Sequence, residues 1–304
     1  MTQPFVVRKV ALIGFGEAGS ILGTDLANQG LAVSAYDILF DLPDKRAAML
    51  ARAAAGRVAA ADTHADAVRG ADLVISAVTA SSSTDVAREA ARWLAPGQVF
   101  LDINSVSPGT KRGNAGIVES CGADYVEAAV MAPVPPQRLG VPMLLGGRKA
   151  RAVAEALGRL GCNATAVADG IGTASAIKMC RSIMIKGLEA LAVECLFAAR
   201  RFGAEDAVLA SLDKTFPSTG WTGKLPDYLV SRVAEHGRRR AAEMREVAAT
   251  LGDVGLASLM ASATAERQEW LVDAMAAAGV AYAEPFSWRE LADALARGAP
   301  GPEA

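Results

Sequence analysis

At 304 residues the chain is roughly two domains long, enough to bury a substantial core in each. With 52% hydrophobic residues and a formal charge of -2, the composition excludes extended disorder and supplies no bulk electrostatic attraction to nucleic acid or to a membrane surface. Cys121, Cys162, Cys180 and Cys195 form no CxxC pair and His64 and His236 lie far apart, which argues against a structural zinc site or a disulfide framework.

The chain passes quickly into a strand-like run, Lys9-Val-Ala-Leu-Ile13, with no long apolar signal region before it, and a cytoplasmic protein is expected. No apolar stretch approaches the roughly 20 residues that span a bilayer. The first run has the character of a buried parallel strand. It leads into Gly14-Phe-Gly16-Glu-Ala-Gly19 and a helical pattern through Ile21, Leu22, Leu26 and Ala27. Gly14 suits a tight turn, Gly16 a close approach of backbone to a pyrophosphate, and Gly19 the packing of helix on strand. The amides that open the helix face phosphate oxygens, which makes Phe15, Glu17 and Ala18 part of the same cofactor loop.

A second strand, Leu31 to Tyr36, ends at Asp37, about 20 residues beyond the glycines, where a carboxylate accepts bonds from both ribose hydroxyls. The same charge repels a 2'-phosphate, so NAD is expected over NADP. Arg46, downstream, keeps NADP open. Further strands are expected at Ala71 to Val78 and at Val99 to Asp102, followed by the loops Thr79 to Ser83 and Asn104-Ser-Val-Ser107-Pro108. Ligands of open α/β sheets bind beyond the carboxyl ends of the strands, which places Val78, Thr79, Asn104 and Ser105 at the cofactor. Tyr125 to Val130 then leads into Met131-Ala-Pro-Val-Pro135-Pro136, read as a rigid polyproline-like loop. A strand over Met143 to Gly147, a helix from Lys149 to Leu160 and a strand over Ala164 to Ala168 complete the alternation. The expectation is an α/β fold with a doubly wound Rossmann domain over residues 1–169.

From Gly170-Ile-Gly172 a helical pattern runs unbroken to Gly203. At about 100° per residue, Lys178, Ser182 and Glu189 fall within about 40° of one another, with Lys186 flanking them. The opposite side carries Ile177, Cys180, Met184, Leu188, Leu191, Cys195 and Ala199. Such a helix is expected between two layers, its polar stripe facing a cleft, with Lys178 as the catalytic group. Beyond Gly203 the strand signal is largely gone, so residues 170–304 are expected to form an all-α C-terminal domain with 170–203 as its junction helix. Breaks are expected at Phe216 to Trp221 and at Gly237. The charged run from His236 to Glu246 reads either as a solvated helix face or as an anion-binding cluster. Arg297 to Ala304 reads as a frayed tail. The long apolar helix and helical second half predict a homodimer or higher homo-oligomer acting on a small molecule.

These motifs resemble the β-hydroxyacid dehydrogenases, which include 3-hydroxyisobutyrate dehydrogenase and 6-phosphogluconate dehydrogenase. The likeness covers Gly14 to about Ala168 and the junction helix. Gly14, Gly16, Gly19 and Asp37 match the dinucleotide motif, and Asp102-Ile-Asn104-Ser105-Val-Ser107-Pro108 is similar to an Asp-x-Ser-Thr-x-x-Pro segment near the nicotinamide. Gly170-Ile-Gly172 with Lys178 resembles Gly-x-Gly-x(5)-Lys. The resemblance implies hydride transfer between nicotinamide and the hydroxyl-bearing carbon of a small, 3-hydroxy acid or related alcohol, with Lys178 as general acid and base and Ser182 orienting substrate or lysine. Three departures stand out. Ser182 replaces an Asn, Met131-Ala132-Pro133 replaces a Ser-Gly-Gly carboxylate loop, and Ala242-Glu243-Met244 falls where a Lys-Asp-Leu segment is usual. They imply a bulkier or less polar substrate, lined by Met131 and Pro133, with an anion held by Lys186, His236 or Arg239.

A lysine acts as a base only if its pKa is brought well below about 10.4. Burial, the positive end of its helix and Lys186 are expected to push it down, and Glu189 to oppose them. Alternative readings are a C=N reductase of imine or opine type, which needs no lysine base, and a non-catalytic NAD-binding protein. Oxidation coupled to decarboxylation is a further possibility.

Overall fold

Short apolar runs alternate with helices through the first half of the chain, and in the computed structural model, which describes residues 4–298, these runs pair into one sheet of eight strands. The strands are β1 (Lys9–Ile13), β2 (Ala32–Tyr36), β3 (Ala59–Ala60), β4 (Leu73–Ser76), β5 (Val99–Asp102), β6 (Asp124–Val130), β7 (Met143–Gly146) and β8 (Ala164–Ala168). Their order is β3-β2-β1-β4-β5-β6-β7-β8. All pairs are parallel except β6 with β7.

Between the strands run α1 (Glu17–Asn28), α2 (Pro43–Ala55), α3 (His64–Val68), α4 (Ser83–Ala91), α5 (Pro108–Glu119), α6 (Val134–Gln137) and α7 (Ala150–Arg159). Strand alternation splits the core into two layers, one containing Leu12, Leu73, Leu101 and Leu145, the other Ile13, Val74, Phe100 and Tyr125. Register aligns the carboxyl ends that matter: Ile13 pairs with Tyr36 and with Ser76, and Ser76 with Asp102.

The remaining helices are α8 (Thr173–Arg201), α9 (Glu205–Thr215), α10 (Leu225–Gly252), α11 (Leu259–Ala277) and α12 (Trp288–Gly298). The chain divides into two compact units between Met179 and Cys180, inside α8. The second unit has its own core, built on Val193, Leu196, Trp221, Val230, Val233, Leu271 and Trp288.

The structure corrects several sequence expectations. The segment after Pro133 is a short helix rather than a polyproline-like loop, because prolines in a first helical turn forfeit only amides that lack intrahelical partners. Pro133 itself is extended, at φ -59° and ψ 136°. The helix expected to break at Gly237 runs through it. A Cβ there would lie 2.5 Å from Val272 Cγ2 and 2.7 Å from the Gln268 carbonyl, so this glycine lets α10 and α11 approach closely. The faces of α8 are largely inverted: Ser182, Lys186 and Glu189 are buried, whereas Met184, Leu191, Cys180 and Cys195 are exposed. The cause is ion pairing of the polar stripe with α10. Of the expected frayed tail, Arg297 and Gly298 close α12, and 299–304 lie outside the described residues.

Candidate active site

The turn after β1 is shaped by backbone requirements. Gly14 adopts φ +94°, and a Cβ on it would lie 2.4 Å from the Ala77 carbonyl. A Cβ on Gly19 would lie 2.1 Å from the carbonyl of Gly14, so α1 packs against the turn itself. Gly16 differs from both, since nothing lies within 4 Å of where its Cβ would be. It is also the N-cap of α1 and carries no side-chain cap, so the leading amides of a 12-residue helix face open space. Phe15 is buried, Ala18 half-buried and Glu17 exposed. These features fit a pyrophosphate group.

Asp37 stands at the end of β2 with both oxygens held by backbone, one accepting from Phe15 N at 2.6 Å and the other from Leu39 N at 2.9 Å. It is therefore fixed to the glycine turn. Arg46 points elsewhere, donating to the Phe40 carbonyl at 2.7 Å and to Asp62 at 3.3 Å.

The loops after β4 and β5 are tied together by Asn104. Its Oδ1 accepts from Val78 N at 2.7 Å, and its Nδ2 donates to Ser76 Oγ at 2.9 Å and Ser83 Oγ at 3.2 Å. The side chain of Asn104 is thus engaged by protein groups, while Val78 and Ser105 are half-buried and Thr79 is exposed. Beneath them lies a hub that sequence reasoning missed. Asp102, with no exposed surface, accepts from Tyr125 OH at 2.6 Å and from Asn104 N at 2.9 Å, and its Oδ1 lies 2.9 Å from the equally buried Lys111 Nζ. Burial, with the Asp102 carboxylate beside it, pushes the Tyr125 hydroxyl well above its ordinary pKa and keeps it a donor.

Lys178 lies in the second turn of α8, half-buried, and its Nζ donates to Ser105 Oγ at 2.5 Å. The loop after β5 and the start of α8 are thereby joined. Gly172, just before the helix, has φ +114°, a backbone state that only glycine adopts readily. Glu127, completely buried at the centre of β6, was not singled out from sequence. It accepts from Gly172 N at 2.6 Å, Ala174 N at 3.1 Å, and Ser175 Oγ at 2.7 Å. The available signal was a carboxylate in the middle of a run that is otherwise Tyr, Val and Ala. Its charge opposes the positive end of α8, which had been expected to bear on Lys178.

In the second unit, Lys186 Nζ lies 2.8 Å from Glu243 Oε2 and 3.2 Å from Ser182 Oγ. Arg239 reaches the other oxygen of Glu243 at 2.7 Å, and Arg240 forks onto Glu189. His236 lies 3.2 Å from Glu235, and burial together with nearby Arg232 pushes its imidazole below the ordinary pKa. The basic groups expected to hold an anion are thus largely matched by carboxylates. Met131 is half-buried and Pro133 exposed, and the Met131 amide donates to Pro142 O at 2.8 Å.

A mostly parallel sheet whose first turn opens an anion cradle beside a strand-end carboxylate defines a dinucleotide-binding protein. Comparison with known proteins agrees. The NAD binding domain of 6-phosphogluconate dehydrogenase matches residues 9–168, and a domain of unknown function, DUF1932, matches residues 199–271. The chain belongs to the β-hydroxyacid dehydrogenase family. A conserved hypothetical protein from Sinorhizobium meliloti 1021 is 39% identical, with a TM-score of 0.79 over 97% of each chain. The NAD-dependent L-serine dehydrogenase of Pseudomonas aeruginosa is 26% identical over 71% of this chain and 72% of its own length. A Mycobacterium tuberculosis 3-hydroxyisobutyrate dehydrogenase solved with L-serine shares the fold, at 16% identity and a TM-score of 0.72 over 95% of this chain and 99% of that one. The chain is accordingly an NAD(P)-dependent oxidoreductase of hydroxyacid dehydrogenase type.

Proposed function

We propose that the protein transfers hydride between NAD and the hydroxyl-bearing carbon of a small 3-hydroxy acid or related alcohol, with Lys178 as general acid and base. The observation that carries this reading is the Lys178 bond to Ser105 at the carboxyl edge of the sheet, where a nicotinamide cofactor is expected. The nicotinamide supplies the hydride acceptor when bound. The chain's own residues do the rest: Lys178 Nζ takes the hydroxyl proton as the carbon is oxidised and returns it to the carbonyl oxygen in reduction, and Ser105 Oγ holds the amine between turnovers.

NAD is favoured over NADP because the Asp37 carboxylate is locked at the end of β2, where a 2'-phosphate would meet its charge, while Arg46 is engaged by Phe40 and Asp62. The L-serine dehydrogenase relative makes L-serine the first compound to assay, and the 3-hydroxyisobutyrate dehydrogenase of like fold adds 3-hydroxyisobutyrate. We also read the exposed apolar face of α8, containing Met184, Leu188 and Leu191, as the surface that meets a second copy of the chain.

The test is a panel of hydroxy acids and alcohols assayed with NAD and NADP, with the wild type beside Lys178→Met. The variant is expected to bind NADH as the wild type does and to lose turnover. Normal turnover by Lys178→Met would sink the assignment, and equal use of NADP would sink the role of Asp37.

A further inference from the structure

We propose that Glu127 is the positioning residue for Lys178: its carboxylate pins the first turn of α8 to the sheet and so sets where the lysine amine meets Ser105. This rests on the reading of Lys178 as the proton-transfer group.

A carboxylate in the middle of a buried strand is costly and persists only where its oxygens are satisfied. Both oxygens of Glu127 are spent on one object, the start of α8. Gly172 N and Ala174 N donate to Oε1, and Ser175 N, at 3.3 Å, and Ser175 Oγ donate to Oε2. Backbone amides at a helix start lack intrahelical partners, and a side chain just ahead of the helix normally serves them. A local cap of that kind moves with its helix. A cap supplied from β6 ties the helix to the sheet, and the sheet's carboxyl edge is where Ser105 sits.

The surrounding glycines make room for this arrangement. A Cβ on Gly146 would lie 2.5 Å from Glu127 Oε1 and 2.9 Å from the Gly170 carbonyl. Gly172 needs its φ of +114° to aim its amide at the carboxylate. The Gly170-Ile-Gly172 pair is therefore one half of a socket whose other half is Glu127. Lys178 follows Ser175 by less than one helical turn, so little play separates the pinned amides from the lysine. One end of this short lever is held by Glu127 and the other contacts Ser105 at 2.5 Å.

The test uses the full chain and compares Glu127→Gln, Ser175→Ala and Lys178→Met, reading kcat, KM and NADH affinity. Glutamine keeps the shape but turns an NH2 group toward amide donors. It should lower kcat by about ten-fold or more, with NADH affinity and KM for the cofactor within about two-fold of wild type. Ser175→Ala removes the hydroxyl's bonds to Glu127 and to the Gly172 carbonyl without stranding a new donor, and should show the same kcat-only signature at a few-fold. It keeps the proposal testable if Glu127→Gln fails to fold. Parallel loss of kcat and NADH affinity in these variants would mark a general structural role and overturn the proposal. A lysine-dependent enzyme in which both variants turn over normally removes this proposal alone. Full turnover by Lys178→Met removes the acid-base reading and the proposal together.

Discussion

Replacing Lys111 by methionine tests whether the buried Asp102 hub holds the loops on the cofactor side of the sheet. Lys111 is 1% exposed and Asp102 0%, and Lys111 Nζ also donates to the Asp102 carbonyl at 2.7 Å. Removing one member of a buried pair costs about 3–5 kcal/mol because the other charge is stranded. Here Asp102 keeps the Tyr125 hydroxyl at 2.6 Å and the Asn104 amide at 2.9 Å, so about 3 kcal/mol is expected. For a unit of this size 1 kcal/mol shifts Tm by roughly 2–4 °C, giving a fall of roughly 6–12 °C in the transition of the first unit. Because Asn104 Oδ1 also anchors Val78 N, NADH affinity should weaken in step. Combining Lys111→Met with Asp102→Asn removes the stranded charge, and the double variant should be more stable than Lys111→Met alone. Calorimetry of the full chain and NADH titration measure both effects. A Tm within about 2 °C of wild type, or strictly additive losses in the double variant, would refute the reasoning.

Two further outcomes follow from other parts of the chain. His64 is buried, neither ring nitrogen has a hydrogen-bond partner among the described residues, and burial pushes its pKa below the ordinary 6.5. A depressed folded pKa means its contribution to stability is complete above about pH 6.5 and is lost as pH falls through the lowered value. His64→Phe should therefore flatten the acid side of a Tm-against-pH curve, and an unchanged slope would show that His64 is not the group responsible. Charging the α8 face with Met184→Asp and Leu191→Asp should convert a dimer to a monomer in light scattering. A wild type that is already monomeric removes that reading.

The parts of this molecule that were legible in sequence are those where backbone geometry dictates residue type. Gly14 and Gly19 announce a turn that only glycine fits, Gly16 leaves its mouth open, and Asp37 follows at the distance set by one helix and one strand. Lys178 was singled out through the glycine pair ahead of it, and its Nζ lies 2.5 Å from Ser105 Oγ. Glu127 was visible only as a carboxylate in the middle of β6, because its partners lie 45 to 48 residues later. The orientation of α8 was misread for the same reason. Its polar stripe was read without Arg240, 51 residues beyond Glu189, and without Glu243, so the burial of Lys186 and Glu189 had no visible cause. Gly237 was misread as a break because composition does not distinguish a glycine that ends a helix from one that admits a neighbouring helix.

The charge pattern of the second unit bears on the groups that the sequence suggested as anion ligands. Lys186 and Arg239 were the cations expected to hold a substrate anion, yet the two oxygens of Glu243 already occupy them, at 2.8 Å and 2.7 Å. A carboxylate binding there has to displace Glu243 and leave it only partly compensated, because Lys186 is largely buried and Glu243 half-buried. Arg240 is committed to Glu189 in the same way, and burial pushes the Glu189 carboxyl upward against the opposing pull of Arg240. At Lys186, Arg239 and Arg240 the helical unit therefore offers ion pairs in place of bare cations.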